Sequence, residues 1–410
     1  MAYSEHSSNC SNAAHSLVDR AARLALCVCS LVLAQAAAAQ WVPNETRASA
    51  QADLIDYEFS QSRAQFAWND ELGNLWIGNV DRATGLFVPA DGRAILVDPD
   101  AMRFEDAQKT KNGPEWVSTS AGDLIVYTKY AGAHSDNNSR IGLAQQNPDG
   151  SWYGGLLGSA TRKAPYASSD PDDPAPRLTY VDNKERHYWR ELWDAGTEKR
   201  IADFPDSNYP VRHVRGARAV AYPLTVGDTD QIFYRDLDTD LVTQLTFDAG
   251  NKYEVWMWRA PEFGNELVFM TLVDQIELRV YRELTIGSGG QKQWTPIYSK
   301  KAPRGNKIFS PEPFVWNGKS YIFMAQSVRP NKFRSEIWIA NIDTGAPIFR
   351  RITDNALLRT RTDPEVFITD AGPRIYFNRL VPDDSSGRPQ TCRAPSCSEG
   401  VWFADPGLTP

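Results

Sequence analysis

The chain alternates short apolar stretches with polar turns, and a Pro-Glu pair precedes several of those stretches. Four copies stand at Pro114-Glu115, Pro261-Glu262, Pro311-Glu312 and Pro364-Glu365. Each copy is followed by a turn and then by an apolar run such as Leu267-Val268-Phe269-Met270, which predicts a β-strand. The glutamates lie 50 residues apart from 262 to 312 and 53 apart from 312 to 365, which indicates a repeat.

Further strands are visible within each repeat. Residues 337–342 alternate apolar and polar side chains, residues 343–345 form a turn signal, and residues 348–353 return as a second strand. Residues 232–246 and 75–85 follow the same scheme. Units of about 50 residues with four strands and no amphipathic helix are typical of a β-propeller.

We therefore predict an all-β fold, a β-propeller of seven four-stranded blades, with six blades as the alternative. The seven slots begin at residues 65, 115, 177, 212, 262, 312 and 365, with Gln65, Arg177 and Arg212 in place of glutamate. Residues 401–405 match the third strand of a blade, after which the chain stops. Because an unpaired sheet edge is unfavourable, we expect an N-terminal strand, residues 54–59, to close the ring.

Composition narrows the class of partner. The 410 residues are 42% hydrophobic and 11% aromatic, which is enough apolar material for a large core. The formal charge of −7 argues against a nucleic-acid partner, since phosphate binding requires a basic surface. After residue 40 no stretch approaches the roughly 20 apolar residues of a membrane span. We expect a monomer.

The N-terminus has the pattern of an export signal. Arg20 and Arg23 precede an apolar stretch that ends in alanine-rich sequence, which predicts a signal peptide over residues 1–39 and one propeller domain over residues 40–410. An uncleaved anchor helix is the alternative. The mature chain would then be secreted or periplasmic. Its two remaining cysteines, Cys392 and Cys397, predict a disulfide that holds a loop, with a zinc site as the alternative.

Several of these repeats resemble those of the TolB-like propeller family. Strand-turn-strand units that end in a Leu-Thr-type pair occur at Gln244-Leu245-Thr246 and Arg351-Ile352-Thr353. The segment from Pro114 to Asp123 is similar to the strand that follows in that family, although the Ser-Pro-Asp-Gly turn is absent. The resemblance covers most of the mature chain and implies a divergent member with a propeller fold. It implies no particular activity.

The candidate site follows from the propeller geometry. The first strand of each blade lines the central channel, so residues at the start of these strands should converge at one mouth. The expected ligand-binding residues are Glu115, Arg177, Arg212, Glu262, Glu312 and Glu365, with His134 in a polar loop at the rim. Pockets with converging polar groups are the usual binding sites. The alternative is that the repeated glutamates only accept hydrogen bonds from neighbouring blades.

Two classes of function fit this pattern. The first is a binding or scaffolding module for a glycan or a protein partner. The second is a glycoside hydrolase or polysaccharide lyase, for which the catalytic candidates are Glu262, Glu312, Glu365 and His213. We expect no cofactor, although the acidic loop at residues 170–174 could bind calcium.

Overall fold

A computed structural model gives the fold. It describes residues 44–103, 112–168, 173, 175–202, 211–286, 291–328, 334–343, 345–354, 358–381 and 395–408. The predicted signal peptide, Cys392 and most of the loop at residues 170–174 lie outside this part of the chain. The disulfide between Cys392 and Cys397 therefore remains a prediction.

The described part is built almost entirely of β-strands. In chain order they are β1 Glu45–Ser49, β2 Ile55–Ser60, β3 Gln65–Asn69, β4 Leu75–Val80, β5 Phe87–Val88, β6 Ile95–Asp98, β7 Glu115–Thr119, β8 Gly122–Tyr130, β9 Ser139–Gln146, β10 Trp152–Leu156, β11 Lys163–Ala167, β12 Arg177–Val181, β13 His187–Glu191, β14 Lys199–Ala202, β15 Arg212–His213, β16 Ala219–Val226, β17 Thr229–Asp236, β18 Val242–Gln244, β19 Lys252–Ala260, β20 Glu266–Val273, β21 Glu277–Ile286, β22 Gln291–Lys301, β23 Lys307–Trp316, β24 Lys319–Ser327, β25 Ser335–Asn341, β26 Phe349–Arg351, β27 Thr360–Thr369, β28 Gly372–Leu380 and β29 Ser398–Ala404.

These strands form seven antiparallel sheets, which are the blades of a β-propeller. Blades 2 to 6 each take four consecutive strands, beginning with β7, β11, β15, β19 and β23. Blade 1 runs from β2 to β6, and blade 7 contains β27, β28, β29 and β1. The first strands of neighbouring blades contact one another in a closed ring, so they surround the central axis. The prediction of seven blades is confirmed.

The hydrophobic core lies between the blades. Each strand alternates its side chains between its two faces, so each face of a blade packs against one neighbour. Phe66 and Trp68 of blade 1, for example, pack with Phe367 and Tyr376 of blade 7, and all four side chains are fully buried. The stability of each blade therefore depends on the presence of both neighbours.

The N-terminal strand closes the ring, as predicted, but residues 54–59 do not supply it. The strand β1 pairs with β29 through Glu45↔Ala404 and Thr46↔Phe403, and it completes blade 7. Residues 55–60 instead form β2, the channel-lining strand of blade 1. Their alternation of apolar and polar side chains suits either position, which is why the sequence alone misassigned them.

A buried ion network holds β1 in place. The Glu45 carboxylate accepts hydrogen bonds from Arg361 Nε at 3.0 Å, Arg379 Nη1 at 3.1 Å and the Asp354 N–H at 2.9 Å. The side chains of Arg361 and Glu45 are 0% and 4% exposed. A buried charge that loses its partner is strongly destabilising, so this network fixes the register of the closing strand.

Among the described residues, no helix is long and apolar enough to cross a membrane.

We expect Glu45→Ala to lower the free energy of unfolding by about 3–5 kcal/mol, because Arg361 would stay buried without its partner. Urea unfolding followed by tryptophan fluorescence measures the change. The control Glu71→Ala removes an exposed glutamate and should alter stability by less than about 0.5 kcal/mol. Equal effects of the two substitutions would show that the network does not hold the closure.

Candidate functional site

Five of the seven channel-lining strands have a β-bulge. The pairing with the second strand skips from Ile55 to Glu58 in blade 1, from Phe309 to Glu312 in blade 6 and from Thr362 to Glu365 in blade 7. Blades 3 and 5 have the same irregularity. A bulge inserts an extra residue and re-aims the side chains around it, which is why bulges often occur near functional sites.

The bulge explains the Pro-Glu pairs. Ser310 and Asp363, which precede the prolines, have positive φ angles of 42° and 55°. Proline has no N–H to donate, so it is tolerated in a strand only at an edge or a bulge. Each channel-lining strand is the inner edge of its sheet, and the glutamate after the proline is the first residue to pair again. In blades 6 and 7 the sequence Pro-Glu thus places a carboxyl group in the channel.

Seven residues, one from each blade, form what we call the ring layer. Each is a first-strand residue that pairs with the second strand of its own blade at equivalent positions. In blade order they are Glu58, Glu115, Tyr166, Arg212, Trp256, Glu312 and Glu365. Four glutamates from adjacent blades 6, 7, 1 and 2 therefore face one arginine between two aromatic residues.

Aromatic rings position the arginine. The Arg212 guanidinium carbon lies 4.5 Å from the ring centre of Tyr166 and 4.2 Å from that of Trp256. Cation–π contacts of this kind are worth about 0.5–2 kcal/mol each. Burial disfavours the charge of Arg212, but the charges of Tyr166, Glu312, Glu254 and Glu115 outweigh it and raise the pKa of Arg212. The guanidinium is therefore a permanent cation in the channel.

A second acidic set lies next to the ring layer, two residues earlier along three of the strands. Asp56, Glu254 and Asp363 occupy the bulges of blades 1, 5 and 7, with φ angles of 55°, 56° and 55°. The backbone N–H of Asp56 donates a hydrogen bond to the Asp363 carboxylate. We call these three residues the bulge layer. Together the two layers bring seven carboxyl groups into one channel.

Burial and mutual repulsion raise the pKa values of six of these seven carboxyl groups. Their side chains retain some contact with the channel, yet protein surrounds them, so desolvation is the largest cause of each shift. The pKa of Glu312 is raised to about 8 and that of Glu115 to about 7, although the charge of Arg212 lowers both. Burial also raises the pKa of Asp363 to about 6. The pKa values of Asp56, Glu58 and Glu365 lie well above their usual range.

Three of the four glutamates expected at the channel, Glu115, Glu312 and Glu365, do converge there, and so does Arg212. Glu262 does not, because Pro261–Phe263 forms a 3-10 turn after β19. The Glu262 carboxylate accepts hydrogen bonds from the Ser320 N–H at 2.9 Å and from Ser320 Oγ at 2.8 Å. Glu262 therefore fits the alternative hypothesis that a repeated glutamate accepts hydrogen bonds from a neighbouring blade, here blade 6.

Arg177 and Gln65 also lie away from the channel-lining strands. Both stand at the start of a second strand, β12 and β3 respectively. Arg177 bonds to Asp238 at 2.8 Å and is 2% exposed, so it links blades 3 and 4. The intervals between ring-layer residues range from 44 to 57 residues, and a constant step of 50 therefore counted the blades correctly but misplaced these slots.

The two candidate histidines differ in their surroundings. His213 follows Arg212 on β15 and hydrogen-bonds to the backbone of Tyr166. Burial lowers the pKa of His213 to about 4, so its imidazole is neutral at pH 7. His134 lies in the loop between β8 and β9, where its ring packs 4.7 Å from that of Tyr130. His134 is thus outside the channel-lining strands.

The described residues contain no group of three or more His, Cys, Asp or Glu arranged to hold a metal ion. Asp173 of the acidic loop at residues 170–174 lies 3.5 Å from Arg218. The other four residues of that loop are outside the described part of the chain. The predicted calcium site therefore stays a prediction.

Sequence reasoning missed Glu58, Tyr166 and Trp256. Tyr166 follows Pro165, as the glutamates follow their prolines. The residue after a proline could therefore have been predicted to line the channel in blade 3 as well. Glu58 stands two residues after Asp56, and Glu365 stands two residues after Asp363. Residues two apart in a strand lie on the same side of it, so this acid-x-acid spacing would have identified the channel-lining strand of blade 1.

Comparison with known proteins supports the propeller fold alone. No family model matches the sequence, and no curated protein matches it. The Cps50 (Swd1) β-propeller domain of Myceliophteria thermophila is 9% identical, with a TM-score of 0.52 over 88% of this chain and 98% of that one. TolB from Acinetobacter baumannii is 14% identical, with a TM-score of 0.37 over 84% and 79% of the two chains. A Lactobacillus plantarum protein is 11% identical, with a TM-score of 0.48 over 83% and 99%.

The raised pKa values predict that stability falls as pH rises. A carboxyl group with a higher pKa in the folded protein favours folding below its unfolded pKa of about 4.3, and this contribution is lost as pH rises through the folded pKa. With folded pKa values of about 6, 7 and 8, the free energy of unfolding should drop between pH 5 and pH 8. The drop should be on the order of a few kcal/mol.

Urea unfolding at pH 5, 6, 7 and 8 measures this dependence. Glu312→Gln should reduce the drop because it removes one group that resists ionisation, whereas Glu71→Gln, at an exposed position, should leave it unchanged. A stability that is constant or increases from pH 5 to pH 8 would contradict the account of the channel carboxyls.

Proposed function

We propose that this protein is an exported binding module, a divergent relative of the TolB-like propellers, whose central channel binds a glycan or a protein partner. The observation that carries the proposal is the ring layer. Seven blades contribute one residue each, and the result is a set of four glutamates opposite Arg212. Burial and the repulsion between like charges make such a set of glutamates unfavourable for the stability of the folded protein. Stability alone would favour apolar residues at these positions.

Export is the second part of the proposal. It rests on the apolar leader at residues 1–39 and on the cysteine pair that remains after it. A secreted or periplasmic location would give the channel access to extracellular polysaccharides and to other exported proteins.

Binding to a panel of immobilised neutral and acidic polysaccharides, and to exported proteins of the same cell, tests the function. We expect at least one ligand to bind the mature protein and to lose about tenfold or more in affinity in the double variant Glu312→Gln/Glu365→Gln. Glu262→Gln is the matched control, because it makes the same chemical change at a glutamate outside the channel. A ligand that binds all three proteins equally would place the site elsewhere.

A second candidate function is a carbohydrate-active enzyme, and one observation favours it. The pKa of Glu312 is raised to about 8, so its carboxyl group is mostly protonated at pH 7, as a general acid requires, and Glu365 lies in the same layer. Hydrolysis of a glycosidic bond needs one protonated and one ionised carboxyl group near the bond. Arg212 could pair with the carboxylate of a uronate substrate.

Incubation with neutral and uronate polysaccharides tests catalysis directly. A hydrolase should release reducing ends, and a lyase should produce the ultraviolet absorbance of unsaturated uronates. We expect Glu312→Gln to lower kcat by at least about a hundredfold if Glu312 is the acid. Wild-type protein that binds a polysaccharide without forming either product is a binding module only.

A further inference from the structure

The channel carries a large excess of negative groups. The ring layer supplies Glu58, Glu115, Glu312 and Glu365, and the bulge layer adds Asp56, Glu254 and Asp363. Among the described residues, Arg212 is the cation whose charge acts on Glu115 and Glu312. One guanidinium cannot balance seven carboxyl groups.

A buried hydroxyl group gives an independent indication of a ligand. Tyr57 is 1% exposed, and its hydroxyl has no hydrogen-bond partner among the residues that the structure describes. Burial is the main cause that raises the pKa of this hydroxyl, and the charges of Asp363, Glu365 and Glu58 raise it further, so those carboxyl groups lie near it. A buried polar group without a partner in the protein costs about 1–3 kcal/mol, unless a bound molecule supplies the bond.

Arg212 shows which chemical group the channel accommodates. Its guanidinium lies between the rings of Tyr166 and Trp256 and in the field of three carboxyl groups. Its Nε is buried and has no hydrogen-bond partner among the described residues, while the aromatic rings and the nearby acidic groups stabilise the cation. An organic cation thus already occupies one side of the channel.

The spacing of the carboxyl groups favours an extended ligand. Each bulge-layer residue precedes the ring-layer residue of its strand by two positions, so the two layers occupy different levels along the axis. The carboxyl groups do not converge on a single point suited to a metal ion in the described part of the protein. A flexible ligand with several N–H donors along its length could contact both levels.

We propose that the central channel binds an organic cation, a chain bearing alkylammonium or guanidinium groups, on the side formed by Glu58, Glu115, Glu312 and Glu365. This inference rests on the proposed function, since it names the ligand class of the same channel. Two sources share the chemistry, a free polyamine and a lysine- or arginine-containing segment of a protein partner. The ammonium groups would donate hydrogen bonds to the carboxylates and to the Tyr57 hydroxyl.

Binding of a cation should release protons. A carboxyl group that ionises to pair with an ammonium group gives up its proton to the solvent, so affinity should increase between pH 6 and pH 8. The groups that face the ligand from every channel-lining strand are Asp56, Tyr57, Glu58, Glu115, Tyr166, Arg212, His213, Glu254, Glu312, Asp363 and Glu365. Among them Asp363, Glu115 and Glu312 have pKa values of about 6, 7 and 8, which lie within this range.

Isothermal titration calorimetry with spermidine and with a lysine-rich decapeptide tests the proposal on the mature protein. We expect both probes to bind at least tenfold more tightly at pH 8 than at pH 6. Titrations in two buffers with different ionisation enthalpies should show proton release. The tighter of the two probes indicates whether the natural source is a polyamine or a protein segment.

Two variants and one control make the test specific. Glu312→Gln should weaken binding about tenfold, and Arg212→Met should strengthen it, because the cation that competes for the carboxylates is removed. Glu71→Gln removes an exposed negative charge outside the channel and should change the affinity less than twofold. Should Arg212→Met fail to fold, Glu312→Gln still decides, since a neutral glutamine nearly preserves the shape.

The outcomes separate this inference from the proposed function. If a glycan binds and depends on Glu312 while neither cation binds, the ligand class is wrong and the binding function stands. If Arg212→Met abolishes binding of an acidic glycan, the ligand is an anion and the inference is likewise overturned. Calcium that binds in place of both probes would replace the organic cation by a metal. Absence of any channel-dependent ligand would reject both proposals.

Discussion

Pairing of β1 with β29 is the interaction on which the remaining structure depends. Blades 1 and 7 each lack one neighbour until the ring closes, and the aromatic side chains between these two blades are buried only when it does. The pair formed by Glu45 and Arg361 makes this closure specific, since a shifted register would leave a buried charge unpaired. Ring closure in turn brings seven edge strands close enough for their side chains to form one layer.

The bulges convert this scaffold into a candidate site. A regular strand would direct alternate side chains toward the two neighbouring blades, whereas the bulge turns the residue after it toward the axis. Non-glycine residues with positive φ at Asp56, Glu254 and Asp363 store strain of about 1–3 kcal/mol each. Strain, desolvation and like charge all oppose the folded state at the same place, and only the surrounding blades compensate for them.

The sequence predicts the architecture better than the site. Blade number follows from the hairpin pattern and the mean spacing of Pro-Glu pairs, because both average over many local signals. The residue that each blade contributes to the ring layer depends on the pairing register of its first strand, and a turn at the end of that strand moves a Pro-Glu pair out of register. Pro261-Glu262 has the same letters as Pro311-Glu312, yet it lies in a 3-10 turn after β19, where its carboxylate caps Ser320. Only the pairing register distinguishes the two.

Asymmetry within the ring is the strongest argument that the channel has a function. Identical blades would give seven equivalent residues, and a purely structural glutamate would occur in each. Instead three consecutive blades present Tyr166, Arg212 and Trp256, and the aromatic rings bracket the cation at 4.5 Å and 4.2 Å. The other four blades present glutamates. On one side of the channel aromatic rings thus stabilise the arginine cation, while on the other side the carboxyl groups of Glu312 and Glu115 have raised pKa values and can give up their protons when a cation binds.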